Sequence, residues 1–218
     1  ISNIEGLINN LGGEKLYGSE HKLEIVLREL IQNGRDAICA RRMIDRDFEG
    51  KIIVSVEKVE GITWITVKDN GIGMSLLTLK DYLLNFGSSF WASDLAKSEF
   101  PGLNSSGYKA VGQFGIGFYA VFMIASEVRV ETRRFDKSFD DAYVVKFPKG
   151  LCLRPIISNT RSNSSSYSTT VRFSIDELKY RWNSKVEISP GIQGVSPFEV
   201  PFSAVLSNLT AGLDVDVF

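Results

Sequence analysis

Histidine is nearly missing from this chain: of 218 residues only His21 carries an imidazole, which argues against zinc chemistry and against a serine–histidine–aspartate triad. His21 itself reads as a surface residue ahead of a helix. Cysteine is almost as scarce. Cys39 and Cys152 stand far apart and fit no metal-ligand spacing, so they are read as reduced, buried thiols in a cytoplasmic protein. No apolar run reaches the length of a membrane span and no secretory leader opens the chain, so no membrane partner is expected. Neither sign of charge dominates: 25 Lys and Arg face 26 Asp and Glu, which gives no support for a broadly basic nucleic-acid surface. Internal repeats are absent. What these absences leave is a globular chain of one large domain, or one domain and the start of another. The start at Ile1 and the end inside an apolar alternation suggest a piece of something longer.

The stretch LEIVLRELIQNGRDAICA, residues 23–40, organises the rest. Its apolar positions Leu23, Leu27, Leu30, Ile31 and Ile38 recur at helical spacing. Glu29, Asn33 and Asp36 follow at four-then-three spacing and emerge from one other face. A carboxylate, an amide and a second carboxylate in line suit a site that activates water and holds a cation.

Around this helix the period changes several times. Residues 1–10 have helical spacing, and Ser19 is a candidate cap for the long helix. Residues 51–58 and 62–68 alternate and are rich in Ile and Val, with Glu60-Gly61 predicting an antiparallel hairpin. Ser75 caps a predicted helix through about residue 86. Residues 87–111 lose period and gather Gly, Ser and Asn, as a functional lid does. A helix over 118–125 and strands over 128–135, 142–147 and 168–175 follow. The serine-rich stretch 158–166 reads as a surface loop. Past Asp176 the chain reads as a short helix over 203–209 and a strand over 213–218.

Two glycine motifs flank the lid. Asp69-Asn70-Gly71-Ile72-Gly73-Met74 places a carboxylate at a strand end beside glycines that let the backbone approach a planar ligand. That carboxylate can accept from an exocyclic amine such as adenine's. Gly112-Gln113-Phe114-Gly115-Ile116-Gly117-Phe118 precedes a helix, and its freed N–H groups suit phosphate. The spacing and position are wrong for a dinucleotide-binding Rossmann turn, and no P-loop is present.

Taken in order, the three boxes resemble the ATPase family shared by heat-shock protein 90 chaperones, DNA gyrase, histidine kinases and MutL. The wording LRELIQNGRDAI and VGQFGIGFYAVFMIASEVRVETRR is most similar to the heat-shock protein 90 branch. The resemblance covers residues 4–175 and implies the Bergerat fold: an α/β two-layer sandwich, with helices on one face of a mixed, largely antiparallel sheet. It implies an ATP-binding domain over residues 1–176 with its lid at 87–111, then an extension or the start of a following domain over 177–218. It implies ATP or ADP bound with Mg²⁺, Glu29 as the base that deprotonates water, and Asn33 as the metal ligand. Asp69 would accept from adenine, with Gly71, Gly73 and Met74 lining its pocket and Asp36 tethering it. Gly112, Gln113, Phe114, Gly115, Ile116, Gly117 and Phe118 would form the phosphate loop. Thr169 would help hold the base, the choice between Thr169 and Thr170 being open.

One departure stands out. Trp91 falls where chaperones of this branch carry a lid lysine, and Lys97 and Lys109 are the substitutes at hand. The resemblance implies slow ATP hydrolysis with nucleotide-dependent lid closure, and a homodimeric full-length protein with an unknown client. The alternative is the ATPase clamp of a DNA-directed member of the gyrase, MutL or MORC type. A histidine kinase is disfavoured, because His21 has no phosphoacceptor setting.

Overall fold

The computed structural model describes residues 22–105, 108, 110–112, 115–164, 166–178, 180, 182, 185–188 and 198–218. The expected helix over 1–10, the Ser19 cap and His21 lie outside them.

Helix α1 (Lys22–Ile44) buries Leu23, Leu27, Leu30, Ile31 and Ile38, the five positions its period singles out. Each such side chain contributes roughly 1.5–3 kcal/mol when removed from water. The helix runs past residue 40 because its last turn finds partners. Arg41 donates to the Asn70 carbonyl at 2.7 Å and lies 3.7 Å above the Phe48 ring. Two arginines there also suit the negative end of the helix dipole.

Strands β1 (Lys51–Val59) and β2 (Ile62–Asp69) form the expected hairpin. Its turn residues Glu60 and Gly61 have φ of 51° and 83°, the mirror-image geometry that matches strand twist. Beyond it come helix α2 (Leu76–Thr78), helix α3 (Asp94–Glu99) and helix α4 (Pro101–Ser105). Strands β3 (Ala125–Thr132), β4 (Ala142–Leu151), β5 (Ile156–Thr160) and β6 (Thr169–Ile175) follow. Strands β7 (Lys185–Ile188) and β8 (Phe198–Pro201) pair as a separate ribbon. Helix α5 (Phe202–Thr210) and strand β9 (Asp216–Val217) complete the described chain.

The main sheet has the order β5-β4-β3-β6-β2-β1-β9. Every neighbouring pair is antiparallel except β1 with β9. The architecture is therefore the expected sandwich on a mixed, largely antiparallel sheet. Ile52, Val54, Ile65, Val67, Val130 and Phe173 face the helical layer and pack with α1 in one core. Among the described residues no helix is long and apolar enough to cross a membrane.

Several local expectations are corrected. The helix through residue 86 is one α turn, capped by Ser75 accepting from the Thr78 N–H at 3.0 Å, then a π-helical turn over Leu79–Leu83. The helix over 118–125 is a tighter 3₁₀ turn, Gly117–Met123, with residue 125 already in β3. The serine-rich loop gives its first residues to β5, where β4 offers an open edge and polar residues are tolerated. The lid carries α3 and α4, both too short to show a period, with Ser93 capping the first through the Ala96 N–H. Only Asp216 and Val217 of the last stretch pair as strand. Neither cysteine is fully buried: Cys39 is half-buried and Cys152 exposed, because Cys152 falls in the turn after β4 rather than in a strand.

Candidate functional site

A cavity of about 500 Å³ opens between α1, the end of β2, the lid and the glycine loop. Helix α1 supplies its polar floor. Glu29 and Asn33, one turn apart, both line it, whereas Asp36 lies behind the wall and is fully buried. Burial raises the Glu29 carboxyl above its usual range, with Arg28 opposing. At Gly117 there is no room for a side chain, because Glu29 Oε2 already occupies the place a β-carbon would take. Glycine here is what lets the carboxylate lie against the loop.

The opposite end is set by strand geometry. Asp69 closes β2 and is buried. One of its oxygens accepts the Gly71 N–H at 2.9 Å, and no other described group donates to it. Burial pushes its carboxyl up to about 7, the Gly71 bond opposing. Gly73 then turns with φ of 65°, and a β-carbon there would run into the Arg133 carbonyl. Beside it the Met74 N–H donates to Thr132 Oγ1 at 3.0 Å, and Thr132 Oγ1 bonds Thr169 Oγ1 at 3.0 Å. Thr169 sits directly across from Asp69 in the β2–β6 register and lines the cavity, whereas Thr170 does not. Strand alternation turns Thr170 to the other face of the sheet.

The third wall is the lid. Tyr82 meets Phe90 edge-on at 5.6 Å and Phe90 meets Trp91 at 5.4 Å; all three face the cavity. The Gly87 N–H bonds the Gly115 carbonyl at 3.2 Å, joining the start of the lid to the glycine loop. Among the described lining residues the charged ones are Glu29 and Asp69, with no lysine, arginine or histidine. Lys97 does not line the cavity; it is exposed and pairs with Asp94 at 2.7 Å. Lys109 lies outside the described residues.

The structure thus brings Glu29, Asn33, Asp69, Gly73, Met74, Gly112, Gly115, Ile116, Gly117, Phe118 and Thr169 to one cavity. Gly71 and Asp36 stand behind it, while Gln113 and Phe114 fall outside the described residues. Asp36 Oδ2 accepts the N–H groups of Val111 at 2.9 Å and Gly112 at 2.8 Å. Burial still raises its carboxyl, with those two bonds and Arg35 opposing. Thr132 was not legible beforehand, its one signal being its place at the end of a strand two strands from Asp69. The aromatic wall was hidden because lid residues follow no period. The donor set fits a hard divalent cation such as Mg²⁺. Asn33 is exposed and lines the cavity with Glu29, and a single amide ligand would leave such an ion most of its waters.

The sequence profile of histidine kinase-, DNA gyrase B- and HSP90-like ATPases matches residues 21–147. Similar proteins include the chaperone protein HtpG of Anaplasma marginale, 38% identical over 135 residues. The HtpG of Rickettsia prowazekii is 36% identical over 141, and that of Ehrlichia canis 32% over 161. These matches cover 58%, 61% and 64% of this chain but only 20%, 22% and 25% of the relatives.

Proposed function

Because the chain belongs to the histidine kinase-, DNA gyrase B- and HSP90-like ATPase family, we propose that the cavity binds ATP and ADP and hydrolyses ATP slowly. The observation that carries this reading is the buried Asp69 carboxylate, which opens on the same cavity as Glu29 and Asn33. The adenine amine donates to Asp69, with Gly73, Met74 and Thr169 around the base. The phosphates extend toward Gly112, Gly115 and Gly117. Asn33 would hold Mg²⁺, which would neutralise phosphate charge when bound.

Glu29 deprotonates the water whose oxygen attacks the γ-phosphorus as the bond to the ADP oxygen breaks. Its raised carboxyl makes it a better proton acceptor than a free glutamate, once ionised. The glycine loop orients the phosphates through main-chain N–H groups. Among the described residues no cationic side chain lines the cavity, which supports slow turnover. The lid over 87–111 closes on nucleotide, and residues 177–218 belong to an extension or to the start of a following domain.

The likeness to HtpG supports the role of nucleotide module in a cytoplasmic chaperone that dimerises when whole. It favours that role over a DNA-directed clamp, which retention on DNA-cellulose at moderate salt would reveal. Titration of Glu29→Gln and Asn33→Ala with ADP and a nonhydrolysable ATP analogue tests the assignment. Glu29→Gln binds both within two-fold of the parent and loses hydrolysis by about 100-fold or more. Asn33→Ala loses the difference in affinity between Mg²⁺ and chelator. Parent-rate hydrolysis by Glu29→Gln would remove the base from this position.

A further inference from the structure

Residue Tyr108 belongs to no motif, yet it touches two parts of the site. Its hydroxyl donates to the main-chain carbonyl of Asp36 at 2.7 Å. Its ring stands edge-on to Trp91 at 5.4 Å, and Trp91 faces the cavity. Three and four residues on, the chain meets Asp36 again, through the Val111 and Gly112 N–H groups on its carboxylate. One residue of α1 therefore grips both ends of residues 108–112, by its carbonyl at one end and its side chain at the other.

That grip has a geometric product. Gly112 is held so close to α1 that a β-carbon on it would lie 3.3 Å from Asn33 Oδ1 and 3.4 Å from Asp36 Oδ2. The Asp36 carboxylate takes the first two amides of the loop as an internal anion, so those amides are spent on anchoring the chain. What the clamp fixes is the spacing between the Asn33 amide and the entrance of the glycine loop.

We propose that Tyr108 is a positioning residue, whose hydroxyl with Asp36 clamps the lid's C-terminal end to α1 and so sets the γ-phosphate end of the cavity. This rests on the nucleotide reading for its ligand but not for the clamp itself. The Tyr108 ring packs against the cluster that holds Ile72, but its hydroxyl bonds only to the Asp36 carbonyl. Asp69, Gly71, Thr132 and Thr169 are joined to one another and to the sheet.

The test uses Tyr108→Phe, which keeps the ring against Trp91 and deletes only the hydroxyl. In the nucleotide-free chain, amide exchange at Val111 and Gly112 accelerates about three- to ten-fold, the range one neutral hydrogen bond supports. Asp36→Ala, which removes the acceptor of both amides, accelerates the same two positions at least as much. These exchange rates judge the clamp whatever the cavity binds, so failure of the nucleotide reading shows up separately as absent binding by the parent. With Mg²⁺ present, Tyr108→Phe weakens a nonhydrolysable ATP analogue about three- to ten-fold and leaves ADP within two-fold. A purely structural role would weaken both alike. Unchanged exchange at 111 and 112, or equal loss of both nucleotides, would overturn the proposal.

Discussion

Replacing Asp69 by Asn should make the empty protein more stable and its nucleotide complex weaker. In the fold burial pushes the Asp69 carboxyl up to about 7, from the 3.8 of a free aspartate side chain. A group raised in this way contributes stability that is complete below the unfolded value and is lost as pH rises through the folded one. The difference, 7 − 3.8 or about 3 units, corresponds to at most about 4 kcal/mol at pH 8. Asn carries no charge to desolvate, and its oxygen can still accept the Gly71 N–H now 2.9 Å from Asp69. The variant should therefore melt above the parent at pH 8, with the gap closing toward pH 4. Binding moves the other way. An amide rotated to keep Gly71 turns its NH₂ toward the adenine amine, and an unmatched buried donor costs about 1–3 kcal/mol, a loss of roughly 5- to 150-fold in ADP affinity. In the parent, an adenine donor favours the ionised carboxylate, so ADP binding near pH 6.5 releases a proton. Calorimetry in two buffers of different ionisation enthalpy reads that proton, and scanning calorimetry from pH 4 to 8 reads the stability. Equal melting shifts at both pH extremes, or ADP affinity unchanged by the substitution, would refute the reasoning.

Gly117→Ala should cost at least ten-fold in turnover with ADP affinity within a few-fold, because its β-carbon takes the place of Glu29 Oε2; steady-state kinetics beside calorimetric titration separates the two. Parent turnover should fall as pH drops through the raised Glu29 carboxyl, and a flat profile down to pH 4.5 would exclude that residue as the base. The chain alone should turn over slowly. Exchange across residues 87–105 should slow with a nonhydrolysable ATP analogue, and a lid equally protected with and without it would contradict closure.

Where the sequence was legible, the reason was repetition. The period of α1 exposed its core face, and alternation exposed β1, β2 and β6. The glycines marked the loops because only close approach and positive φ demand them, as at Gly73 and Gly117. Elements governed by single contacts left no such trace. The π-helical turn after α2 and the 3₁₀ turn after Ile116 are closed by single main-chain bonds, and strand β5 exists only through its pairing with β4. Thr132 and Tyr108 act through one hydroxyl each, and a lone hydroxyl has no spacing to betray it.

The described walls of the cavity carry two carboxylates and, among the described residues, no cation, so above the Asp69 titration near 7 these walls act as a charge filter. A bare polyanion approaches it against a repulsive field, whereas adenosine, or a nucleotide already neutralised by a divalent ion, does not. In chelator, then, added monovalent salt should strengthen the capture of ATP by screening that repulsion, the reverse of what a lysine-lined pocket does. Entry would be gated by the ion that accompanies the nucleotide as much as by the nucleotide itself.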